Sequence, residues 1–76
     1  MIRTNQKALK RHVAAGIAHD ITQYTFEEAA ALRRVHTLET IAVSVGVYGL
    51  NGALLKDESG KLYAITARNS TLSQLV

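Results

Sequence analysis

Asn51-Gly52 lies between apolar runs, and Asp57-Glu58-Ser59-Gly60 follows five residues later; this pair of turn signals most constrains what the chain can fold into. Asn-Gly favours a type I′ turn, whose two central residues both take positive φ. Asp-Glu-Ser-Gly suits a type I turn closed by a left-handed glycine. Two such turns in succession predict a three-stranded antiparallel meander. From Thr40 the pattern supports this: Ile41, Val43, Val45 and Val47 alternate with Ala42, Ser44, Gly46 and Tyr48, the β-branched alternation of a strand. Strands are expected at about 40–50, 53–57 and 61–68. The first turn sets Leu50 opposite Ala53 and Tyr48 opposite Leu55. The second sets Leu55 opposite Tyr63 and Asp57 opposite Lys61, where opposite charges favour the register.

Two helices precede the strands. The first is expected over about 4–19, with Thr4 as N-cap and an apolar stripe of Leu9, Val13, Gly16 and Ile17 at helical spacing. Asp20 to Tyr24 reads as a connector. The second is expected over about 25–38. It opens on a capping box, Thr25 with Glu28 three residues on, and runs through Ala29, Ala30 and Ala31. The fold class is α+β in the order α-α-β-β-β. The two N-terminal helices pack on the meander, on its Val43/Val45/Val47 face, and a short C-terminal tail follows. Residues 1–76 form a single small domain.

The register gives each face of the meander an apolar character. One carries Tyr48, Leu50, Ala53, Leu55, Tyr63 and Ile65. The other carries Val43, Val45, Val47, Leu54, Leu62 and Ala64. A free antiparallel sheet has one wet face. Two short helices are expected to cover one side, so the tail at 70–76 or a partner must cover the other. The chain has no cysteine, hence no disulfide and no thiol nucleophile. Oligomerisation is the remaining staple for so small a core. Tyr48, Leu55 and Tyr63 are accordingly the candidate partner or dimer face, because tyrosine supplies contact area at low entropic cost.

Charge supplies the second candidate. The net charge is +3, yet residues 1–19 alone hold Arg3, Lys7, Lys10 and Arg11 and no acid. At helical spacing these four make a basic stripe suited to polyanion backbones. No aromatic interleaves them and no Asn or Gln is placed to read bases, so contact there would be non-specific. His12, His19 and His36 show no metal-ligand spacing; a site from His19, Asp20 and His36 is conceivable but nothing demands it. Glu27-Glu28 and Asp57-Glu58 are accounted for by a helix start and a turn. There is no glycine-rich phosphate loop and no serine with a base at readable spacing.

The outline resembles double-stranded-RNA-binding and integrase-type DNA-binding modules, but the long helix those place after the strands is absent, as are the loop and lysine signatures of the former. The sequence therefore points to a small non-catalytic protein-binding module: no cofactor, no metal, no membrane and no small-molecule substrate. It would be a regulatory or accessory protein acting by direct contact, in the manner of small inhibitors from phages and mobile elements. Its expected location is the cytoplasm and its partner another protein or a second copy of itself. The alternative is a nucleic-acid-binding accessory protein using the basic helix face.

Overall fold

The computed structural model describes residues 2–69 and 75. Their elements in chain order are β1 (Ile2–Arg3), α1 (Gln6–Ala14), β2 (Ala18–Asp20), α2 (Phe26–Val35), β3 (Glu39–Gly46), β4 (Gly49–Lys56) and β5 (Leu62–Ile65). The five strands form one mixed sheet in the order β1-β3-β4-β5-β2. The class is α+β, but the sheet is not the expected three-stranded meander. That meander is its centre, β3-β4-β5, and a short parallel strand is added at each edge, β1 beside β3 and β2 beside β5.

Both edge strands come from segments assigned by sequence to the first helix or to none. The helix is shorter than expected at each end. Asn5, not Thr4, is its N-cap, with the side chain accepting from the Ala8 N–H at 2.8 Å. Thr4 instead donates its backbone N–H to the Val43 carbonyl, extending the β1–β3 pairing. At the other end Gly16 takes φ +74°. The Gly16 N–H donates to Val13 and the Ile17 N–H to His12, the paired bonds of a Schellman stop. Released after Gly16, the chain enters the sheet as β2. The second helix matches its reading at the start. Thr25 and Glu28 exchange both bonds of the capping box, at 3.0 and 3.2 Å.

The β3–β4 turn is not at Asn51-Gly52. The strands close four residues earlier, with Gly46 opposite Gly49 and Val47-Tyr48 as the loop. Gly49 carries the positive φ, +106°. Asn51 is a bulge inside β4: Ser44 faces Gly52 and Val45 faces Leu50, leaving Asn51 without an opposite residue. Its side chain accepts from the Ser44 hydroxyl and its carbonyl accepts from the Gln6 side chain. Gly52 is required for space, not for φ. A Cβ there would lie 2.7 Å from a Leu9 methyl and 2.9 Å from the Ile65 carbonyl oxygen. The second turn falls where expected, with Leu55 opposite Tyr63 and the Asp57 N–H bonded to the Lys61 carbonyl.

The corrected register moves the faces. Val43 lies opposite Ala53, so it shares the side of Leu55 and Tyr63 and does not belong to a separate valine face. The helices do not share a side either. Ala29 of α2 packs with Ile21, Ala53, Leu55, Tyr63, Ile65 and Leu75. Leu9 of α1 packs with Ala18 and Ala64, with Val13, Leu54 and Leu62 against them. Alternate residues of β4 and β5 point to opposite sides, so one helix covers each face. Leu75 adds to the α2 side; the rest of the expected tail at 70–76 lies outside the described residues.

Gly52→Ala is expected to destabilise the fold by about 1–3 kcal/mol, because the Ile65 backbone must move to admit the methyl. Urea denaturation followed by circular dichroism measures this. An unchanged midpoint would contradict the close approach of α1 to β4.

Candidate functional site

β4 joins two unusual regions. At its start is the β3–β4 hairpin end, and just past its finish is a cluster of ionisable groups. Eight residues at about 3.4 Å each separate them by roughly 25 Å.

The cluster centres on Asp57, whose side chain is 1% exposed. Its Oδ1 accepts from the Ser59 N–H (2.8 Å), the Ser59 hydroxyl (2.6 Å) and the Lys61 N–H (3.0 Å). Its Oδ2 accepts from the Tyr63 hydroxyl at 2.7 Å. These bonds, that of the Ser59 hydroxyl first, hold the carboxyl well below the usual carboxylate range despite its burial. Burial and the bond to Asp57 push Tyr63 up to about 12. The expected Asp57–Lys61 charge pair is replaced by backbone bonds, and the Lys61 ammonium lies over the Tyr63 ring, 5.4 Å from its centre.

His36, the C-cap of α2, completes the cluster. Its Nδ1 donates to Glu58 Oε2 at 2.8 Å and lies 3.7 Å from Asp57 Oδ2. Glu58 Oε1 accepts from the Thr37 N–H at 3.3 Å. Glu58 is held below its ordinary value, chiefly by the bond from His36. Sequence reading accounted for Asp57-Glu58 as turn residues and considered His36 only with His19 and Asp20. The structure does not bring those three together: His19 packs edge-on against Tyr24 and Tyr63. His12 donates from Nδ1 to the Ala8 carbonyl.

The hairpin end is an exposed apolar tip. Val47 is 94% and Tyr48 82% exposed, and the cross-strand partners Val45 and Leu50 are also exposed. The Arg68 guanidinium lies 5.7 Å from the Tyr48 ring centre. Of the expected face, Tyr48 alone is accessible. Leu55 and Tyr63 are core residues under α2, because Tyr48 belongs to the loop and Thr40, not Tyr48, lies opposite Leu55. The sequence singles out Tyr48 but sets it on a strand face with Leu55 and Tyr63, because it places the turn four residues late.

The basic stripe divides. Lys7, Lys10 and Arg11 line one shallow depression on α1 together with Gln6 and Ala14. Arg3 sits in β1 at the level of Val43, on the side of the sheet away from α1. Among the described residues no helix is long and apolar enough to cross a membrane. The chain matches no protein-family model, no curated protein and no solved structure.

A carboxylate depressed in the folded state stabilises that state above its unfolded value, about 4, and the contribution is lost as pH falls below it. In chelator-containing buffer, Asp57→Asn is expected to be less stable than the parent at pH 7. Between about pH 5 and pH 2 its stability should also decline less steeply than the parent's, since residue 57 no longer titrates. Denaturant midpoints across that range test this; parallel declines would remove Asp57 from the acid dependence.

Proposed function

We propose that this chain is a non-catalytic protein-binding module of the cytoplasm that engages its partner through the β3–β4 hairpin end, with a second copy of itself as the first partner. The observation carrying this reading is the composition of the loop. A two-residue hairpin loop favours Asn, Asp and Gly. Here it holds Val47 and Tyr48, which bury almost nothing within the chain. Apolar residues that break a local preference without local gain are expected where another surface supplies the gain. Tyrosine beside a guanidinium is a frequent interface anchor.

The neighbouring strand edge favours a second copy. Among the described residues β1 pairs with β3 at Ala42 and Val43, and the strand ladder on that edge stops short of Ser44–Gly46. Backbone groups there lie beside Val45 and Val47, and a two-fold axis would pair edge with edge and tip with tip. A chain of this size without disulfides gains most from such burial.

Val47→Asp with Tyr48→Asp is expected to weaken self-association by about tenfold or more while leaving the thermal midpoint of the monomer nearly unchanged. Light scattering coupled to size exclusion reads the first effect and calorimetry the second. A parent chain that stays monomeric at about 100 µM would exclude the second copy as partner.

A second reading rests on the depression lined by Lys7, Lys10 and Arg11, in a segment with no acid before Asp20. It predicts non-specific binding to a nucleic-acid duplex, with a log–log salt slope of about −3. Lys7→Glu with Lys10→Glu should abolish that binding and preserve the fold. Binding that survives the double change would leave the helix face as solvated surface.

A further inference from the structure

We propose that His36 Nδ1, Asp57 Oδ2 and Glu58 Oε2 form a three-ligand site for a divalent transition-metal ion of the zinc class. The three atoms lie within 4.8 Å of one another. A tetrahedral ion with bonds of about 2.0–2.1 Å needs its ligand atoms about 3.3 Å apart. The His36–Glu58 separation of 2.8 Å and the His36–Asp57 separation of 3.7 Å bracket that value. The third pair, Asp57 with Glu58, lies within 4.8 Å, and rotation of the half-exposed Glu58 side chain would have to close it toward the tetrahedral value for all three to share one ion, with water in the remaining position.

The non-ligating oxygen of each carboxylate is already held by hydrogen bonds, and Asp57 Oδ2, the ligating one, also accepts from Tyr63. Asp57 Oδ1 is taken by three donors, and Tyr63 steadies Oδ2. Glu58 Oε1 is tied to the Thr37 N–H. Metal-binding carboxylates are usually fixed by outer hydrogen bonds of this kind. One imidazole and two carboxylates suit zinc and its first-row neighbours better than calcium, which takes six or more oxygens. The ion would take the place of the proton that His36 Nδ1 donates to Glu58, and the ring would keep one proton on Nε2: a neutral ring changes tautomer, and a doubly protonated ring releases one proton to solvent. Glu58 and His36 are both partly exposed, which leaves an approach from solvent.

The ligands come from two elements 22 residues apart, so the ion would be a clasp. α1 lies close against β2, β4 and β5, and no strand approaches α2 so closely. The site would reinforce the tie between the C-terminal end of α2 and the β4–β5 turn that the bonds of His36 and Thr37 to Glu58 already make. It stands apart from the hairpin end, and either assignment can fail without the other.

The test is calorimetric titration and thermal melting of the whole chain with zinc chloride, with magnesium and calcium chloride as comparisons. Zinc is expected to bind one to one and, at about 100 µM, to raise the melting temperature by several degrees, with no shift from magnesium or calcium. His36→Ala should abolish the shift and Glu58→Gln should weaken binding at least about tenfold. His12→Ala and His19→Gln should retain it. Should His36→Ala fold poorly, the His36 ring resonances of the parent chain carry the same information and must move on zinc addition. Absence of binding at about 100 µM zinc, or zinc affinity unchanged by His36→Ala and Glu58→Gln, overturns the site and leaves the cluster as a proton-holding clasp only.

Discussion

Ala53, Leu55, Tyr63 and Ile65 leave β4 and β5 on one side, and Leu54, Leu62 and Ala64 leave on the other. Neither set can stay in water, since each fully buried large aliphatic side chain is worth about 1.5–3 kcal/mol. This two-sided demand organises the chain. α1 must run over one face and α2 over the other, and the connections follow. The chain starts at one edge as β1, crosses over α1 to the far edge as β2, and returns over α2 to β3, beside where it began. The two short edge strands are consequences of that path.

The position of α1 also decides the centre of the sheet. Leu9 occupies the space above Gly52, and Gln6 bonds the Asn51 carbonyl. Both interactions need residues 51 and 52 to lie within β4, Asn51 as a bulge. The hairpin then closes at Val47-Tyr48, although the turn chemistry of Asn-Gly is better. Packing of a helix against a strand outweighs a local preference of the order of 1 kcal/mol. The result is an Asn bulge inside the strand and an apolar loop in solvent.

The two ends of β4 thus differ in kind. The hairpin end presents Val47 and Tyr48 outward, with Arg68 beside the tyrosine. The far end buries a carboxylate whose every described bond is satisfied, and it gathers His36 and Glu58 around it. Tyr63 belongs to this second end, as the buried donor that steadies Asp57.

Several signals whose bond partner lies within a few residues are legible in the sequence, though the Asn5 cap of α1 is not among them. The capping box of Thr25 and Glu28, the Asp57–Gly60 turn and the pairing of Leu55 with Tyr63 are all of this kind. The stop at Gly16 is equally local, but its spacing from Leu9 and Val13 also fits an apolar stripe, which hides the left-handed helix end. The pairing of β1 with β3 and of β2 with β5, the placement of one helix on each face, the shift of the first turn and the meeting of His36 with Asp57 and Glu58 were not legible. Each depends on contacts between residues about 20–60 apart, whose closure is rewarded only once the whole sheet is assembled. The sequence determined that there would be two helices and a central three-stranded meander, apolar on both sides. Tertiary packing decided which residues turn, which are buried and which remain for a partner, because Leu9 sits where only the missing side chain of Gly52 leaves room and a one-residue slip of β4 would fill that space.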